Sequence, residues 1–219
     1  MIADLSLAVT FDWKKTHVQD VEEGGAIDQE DLVGAEGGVS SGLGPVITWD
    51  TRDNLFAPSK GSWHKAWAWF YGEWMGSDFN YDYYGLDLRH YRSVSKESVL
   101  ALQGFLALTS GEVPFYEYPT PLMRGLYEDV FVDKNAVAVR AEYRFPIKIF
   151  GGERWGGALF GAVGDAFPDA TSTEDFDLKV AGGVGLRFAL NKEEKINLRL
   201  DIGVSRYGVF PYIMLQEAF

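Results

Sequence analysis

The chain has 219 residues, no cysteine, and a formal net charge of -12 from 20 Lys+Arg against 32 Asp+Glu. That length suffices for one domain with its own core, and the missing thiols exclude a disulfide scaffold, a thiolate metal site and a cysteine nucleophile. The negative charge repels a phosphate backbone and excludes nucleic acid as a partner, and no run approaches 18 uninterrupted apolar residues, which excludes a membrane-spanning helix.

Aromatics at 15% together with 25 glycines suit an all-β barrel. Period two dominates from the start, with a first run opening at Asp4 and a second at Pro45. A third opens at Gly61 and a fourth at Phe79; between them Trp63, Trp67, Trp69, Tyr71, Trp74, Tyr81, Tyr83 and Tyr84 crowd one hairpin. This crowding predicts an interfacial aromatic girdle, with a packed aromatic core as the alternative. Residues 98–109 set four leucines against Ala101, Gln103, Phe105 and Ala107. Residues 137–145 set Val137, Val139, Ala141 and Tyr143 against Arg140, Glu142 and Arg144. A run from Gly156 follows, then residues 176–190, where Leu178, Val180, Val184, Leu186 and Phe188 oppose Lys179, Ala181, Gly183, Gly185 and Arg187. Residues 196–205 alternate Ile196, Leu198, Leu200, Ile202 and Val204 with Asn197, Arg199, Asp201 and Gly203, and a last run opens at Phe210. Ten strands and no long helix are predicted.

The connections alternate in length. Residues 54–60, 94–96, 147–154 and 191–194 form a short or moderate set, whereas the other set holds every long connection, 14–41, 112–134 and 168–175. An antiparallel up-and-down transmembrane barrel has this asymmetry, with long loops outside and short periplasmic turns. The N-terminus Met1-Ile2-Ala3-Asp4 lacks a basic region and an apolar stretch, so no signal peptide is expected in this chain. Mid-strand Asp50, Arg52, Asp87, Arg89, Arg140, Glu142, Arg144, Arg187, Arg199 and Asp201 share one face, which fits a polar lumen; the solvated outer face of a soluble barrel is the alternative.

No motif points to covalent chemistry. Gly38-Val39-Ser40-Ser41-Gly42 is a literal G-x-S-x-G but lacks the strand before and the helix after that a nucleophile elbow needs. His17, His64 and His90 lie on three segments without ligand spacing, so neither a metal nor another cofactor is expected. The acidic tract with Asp28, Glu30, Asp31 and Glu36 lacks the spacing of a Ca²⁺ loop and reads as a solvated surface loop.

Several stretches resemble the BamA/TamA-like outer-membrane assembly-factor superfamily, also called the bacterial surface antigen family. They are Gly42-Leu43-Gly44-Pro45 through Asp50-Thr51-Arg52-Asp53-Asn54 with Pro58-Ser59-Lys60-Gly61, the Arg124-Gly125-Leu126-Tyr127 motif, Glu142-Tyr143-Arg144-Phe145-Pro146, Gly183-Val184-Gly185-Leu186-Arg187-Phe188, Leu198-Arg199-Leu200-Asp201, and the closing Gln216-Glu217-Ala218-Phe219. Together they run in order from Gly42 to Phe219. The resemblance implies that residues 112–134 fold into the lumen as a plug loop, with the Arg124-Gly125-Leu126 tip anchored on Glu142 and flanked by Arg140 and Arg144. It also implies a C-terminal assembly signal carried by Ile213, Leu215 and Phe219.

Two departures stand out: Ala162 occupies a position where the family carries an aspartate, and Leu126 one where it prefers an aromatic. Asp165, three residues on, has the parity of the other face. The family barrel has sixteen strands, so the expectation is that residues 1–219 form one barrel domain corresponding to its last ten, without periplasmic repeats. The implied activity is insertion of outer-membrane proteins or translocation of polypeptides in the bacterial outer membrane, not enzymatic. The implied partners are the lipid bilayer and client polypeptides, and the six missing strands are expected either to have been lost by truncation or to come from a second chain completing the barrel. A passive porin-like channel and a barrel-embedded acyl hydrolase are the other readings.

Overall fold

The computed structural model describes residues 4–19, 32–127, 130–131, 133–148, 154–168 and 177–219. Asp28, Glu30 and Asp31 of the acidic tract lie outside them. Ten antiparallel strands follow one another in a single sheet, each paired with its chain neighbours. They are β1 (Asp4–Thr16), β2 (Gly38–Asp50), β3 (Gly61–Tyr71), β4 (Tyr81–Ser93), β5 (Val99–Gly111), β6 (Asn135–Pro146), β7 (Trp155–Phe167), β8 (Lys179–Asn191), β9 (Ile196–Ser205) and β10 (Gly208–Leu215). Two single 3₁₀ turns, Glu73–Met75 and Phe115–Glu117, sit in the connections. No ladder joins β1 to β10 among the described residues, so the sheet is an open piece of barrel wall with two unpaired edges.

The alternation of the sequence becomes an inside-out distribution. Leu5, Leu7, Val9, Leu86, Leu88, Leu102, Val139, Leu159, Val184, Leu200 and Ile202 are exposed on the convex face, while Asp87, Glu142, Arg144, Lys179, Arg187, Arg199 and Asp201 are buried on the concave one. A soluble barrel has the opposite arrangement.

Three expectations are corrected. First, the β1–β2 hairpin reaches further than the loop expected over residues 14–41. Its ladder continues through Trp13↔Ser41 to Thr16↔Gly38, because backbone pairing persists where Lys14, Lys15, Ser40 and Ser41 carry no apolar alternation. Second, the aromatic hairpin is not a girdle. Tyr71 stacks on Tyr81 at 4.2 Å between centroids, and Trp67 packs on Trp69, Tyr83 and Phe105, all on the concave side. The odd-numbered residues of β3 and β4 share the face of Asp87, and Trp74 and Tyr84 are the exposed members. Third, the three residues grouped as a C-terminal signal do not share a face: Ile213 and Leu215 are 72% and 60% exposed, whereas Phe219 is buried. The last strand ends at Leu215, Gln216 takes φ +69°, and the tail turns inward to bury Phe219 against Tyr91 and Ala101.

Candidate functional site

The tip of the long loop between β5 and β6 lies on the concave face. Arg124 points two nitrogens at two carboxylates: Nη2 is 2.5 Å from Glu142 Oε2 on β6, and Nη1 is 2.5 Å from Asp201 Oδ2 on β9. Its guanidinium lies 3.6 Å from the ring centroid of Phe160 on β7. One planar fork thus ties the loop to three strands, which a single ammonium cannot do.

Glu142 and Asp201 are both fully buried and shared. Arg144 Nε donates to Glu142 Oε1 at 2.6 Å, and Arg187 bridges the two acids with Nη2 3.2 Å from Glu142 and Nη1 2.5 Å from Asp201. Glu217 of the inturned tail accepts from Arg187 Nε at 2.9 Å. Arg144 Nη2 donates to the carbonyl of Phe219 at 2.9 Å. The concave centre therefore holds a network of arginines and carboxylates running from the loop tip through three strands to the tail.

Close backbone approach seats the tip. Gly125 has φ +99° and donates its N–H to Tyr212 Oη at 2.8 Å. A Cβ on Gly203 of β9 would lie 2.6 Å from Gly125 N and 2.8 Å from its Cα, so the loop backbone rests directly on the strand. Leu126, 7% exposed, packs with Met123, Phe131, Ala138 and Ala181. Gly183 leaves the space taken by Phe160, whose ring atom would be 2.4 Å from a Cβ there.

Arg124, Gly125, Leu126, Glu142 and Arg144 converge, while Arg140 lines a neighbouring cavity with its Cζ 5.8 Å from the Phe219 ring. Ile213 and Leu215 face outward, away from the network. Asp201 was placed on the inward face by parity but not as an acceptor for the loop; the signals were Arg199 two residues before it and Gly203 two after, one supplying charge and the other room. Asp165 departs from the outward face its parity implied: it is fully buried and accepts from Lys179 Nζ at 2.6 Å, near the end of β7.

The remaining motifs form no complete site. Ser40 and Ser41 are buried inside β2, so the G-x-S-x-G stretch is strand rather than elbow. Ser62 Oγ lies 2.9 Å from His90 Nδ1, yet no hydrogen bond to the second ring nitrogen is present among the described residues. No cluster of three metal-ligating side chains occurs among those residues. In the turn before β3, burial opposes ionisation of Asp53, but hydrogen bonds from the Ser59 hydroxyl and from the backbone N–H groups of Ser59 and Lys60 outweigh it and hold the carboxyl below its ordinary range.

No protein-family model matches the chain. No curated protein matches it either. Among solved structures, it is similar to BamA from Haemophilus ducreyi lacking POTRA domains 1-3, with a TM-score of 0.61 and 14% sequence identity over 83% of this chain and 40% of that one. The fold is that of a BamA-like barrel wall. The chain spans less than half the length of that relative.

Proposed function

We propose that the chain is part of a β-barrel of the bacterial outer membrane that helps polypeptides insert into, or cross, that membrane by non-covalent means. The observation that carries this reading is the Arg124 fork between Glu142 and Asp201 inside a BamA-like wall, because it fixes a long loop on the concave side at the position of the Arg-Gly motif. The membrane assignment rests on the apolar convex face and on strands of 8 to 13 residues, about the length a tilted span of hydrocarbon requires. Client polypeptides would be engaged through backbone pairing at a free edge strand, for which β1 and β10 each offer an unsatisfied row of N–H and C=O groups.

A loop fixed across the concave face argues against an open passive pore, since the polar wall is paired with the loop and tail rather than with water. The test is reconstitution of the protein in liposomes, followed by addition of a urea-denatured outer-membrane barrel. Faster folding of that client than in protein-free liposomes is expected, with the acceleration lost in Arg124→Ala. A large steady conductance without any effect on client folding would overturn the reading in favour of a channel.

A further inference from the structure

The arginine network is not neutral. Arg124, Arg140, Arg144, Arg187 and Arg199 face three carboxylates, Glu142, Asp201 and Glu217, so two positive charges are left over in a chain whose net charge is -12. Counting a carboxylate on Phe219 still leaves one. The neighbouring acid Asp87 is taken by Arg89, at 2.6 Å, and by Gln103.

The surplus is concentrated on two arginines. Four buried arginine nitrogens, Arg140 Nε, Arg144 Nη1, Arg199 Nε and Arg199 Nη1, have no hydrogen-bond acceptor among the described residues, and three of the four belong to Arg140 and Arg199. Arg199 is 5% exposed, and although its Nε lies 3.1 Å from Asp201 Oδ2, the contact is an ion pair rather than a directed hydrogen bond. Both arginines line one cavity of about 350 Å³, walled on its other sides by Leu122, Met123, Tyr127, Met214 and Phe219. Buried guanidinium N–H groups without acceptors are costly, and an oxyanion satisfies them with charge-assisted bonds. The volume lies at the low end of small-molecule sites, and the mixture of apolar walls with a few convergent polar groups is the usual character of such sites. The Phe219 ring, set beside Arg140 with its carbonyl on Arg144, occupies the cavity edge in the manner of such a ligand.

We infer that this cavity is a binding site for a small amphiphilic monoanion, an acid headgroup held by Arg140 and Arg199 with an aromatic or alkyl body against the loop and β10. The inference does not rest on the assembly reading.

The probes are 3-phenylpropanoate and octanoate, each compared with its neutral amide, titrated calorimetrically into the full chain in a neutral detergent with protein-free micelles subtracted. Saturable binding of at least one acid, about tenfold or more tighter than its amide, is expected; which acid binds better identifies an aromatic or an alkyl body. Arg140→Gln and Arg199→Gln should each weaken it about tenfold. Leu122→Trp, at an exposed loop position with every charge kept, should also weaken it by filling the cavity. Equal binding of acid and amide, no binding by folded protein at millimolar concentration, or unchanged binding in Leu122→Trp would each overturn the site.

Discussion

Replacing Arg124 by Ala removes the two hydrogen bonds from the loop tip to Glu142 and Asp201, both at 2.5 Å. Removing one partner of a buried ion pair costs about 3–5 kcal/mol when it strands the other charge. Here neither acid is stranded: Glu142 keeps Arg144 at 2.6 Å and Arg187 at 3.2 Å, and Asp201 keeps Arg187 at 2.5 Å and Arg199 at 3.1 Å. The substitution also lowers the positive surplus of the network. The loss is then that of two coupled charge-assisted bonds, less than additive, or about 2–3 kcal/mol on loop docking. At about 1.4 kcal/mol per decade, the undocked fraction rises roughly 30- to 150-fold.

Limited chymotrypsin digestion reads this fraction directly, because Phe115, Tyr116, Tyr118 and Tyr127 lie along the loop and cleavage tracks the open population when reclosure is fast. The far-UV spectrum should be unchanged. Arg124→Lys, with one point charge in place of the fork, should fall between the two. Glu142→Gln should destabilise the whole sheet more than the loop, since three guanidiniums lose their shared negative charge and an amide NH2 replaces one of the two acceptor oxygens. Cleavage of folded Arg124→Ala at the wild-type rate would refute the anchoring argument.

Gly203→Ala should lift the loop tip without touching a charge, at a cost of about 1–3 kcal/mol, because its Cβ meets the Gly125 backbone at 2.6 Å; the same digestion should show it, and unchanged protection would mean the strand yields instead. The turn over residues 51–60 should loosen in acid. The Asp53 carboxyl is held below its ordinary range, so its contribution is full above the unfolded-state pKa and is lost as pH falls through the lower folded value. The exchange protection of the Ser59 and Lys60 amides, relative to their intrinsic rates at each pH, should fall there in the wild type and be low at every pH in Asp53→Ala. Phe219→Ala removes a ring that is 7% exposed and should raise carboxypeptidase trimming of the tail about tenfold or more while leaving the thermal transition of the sheet almost unmoved.

The strands and their faces were legible because residues such as Leu198, Leu200 and Ile202 alternate with Arg199 and Asp201 without interruption, and a one-residue slip would invert every side chain. What alternation could not show is depth across the concave side. Arg124 and Asp201 are 77 residues apart, and only the curvature of the four strands β6 to β9 brings them together. The tryptophans leave two readings open for a related reason: spacing gives a shared face, but whether that face is a lipid interface or a filled interior depends on how the sheet curves. The inward tail hinges on the positive φ of Gln216, a conformation that this residue type does not announce.

Both edges of the sheet lack a strand partner among the described residues. Along the 13 residues of β1, every second residue turns its N–H and C=O away from β2, which leaves about a dozen backbone groups without a partner in the sheet. Leu5, Leu7, Val9, Phe11 and Trp13 are 56–73% exposed on the same strand, a face suited to hydrocarbon under the proposed function. Each unsatisfied group in hydrocarbon costs several kcal/mol, so in the proposed bilayer setting the open edge would be met by strands from outside this sheet, those of a client polypeptide included. The alternative is curling of the same ten strands until β1 meets β10. It is disfavoured because the loop, the tail and the aromatic cluster of Trp67, Trp69 and Tyr83 already fill the concave space that such curling would compress. The chain has no cysteine, so the pair Val9→Cys and Ile213→Cys can be read on a clean background. In liposomes, oxidation should give no bridge within one chain; rapid, complete intrachain bridging would establish a self-closed ten-stranded barrel and refute the argument.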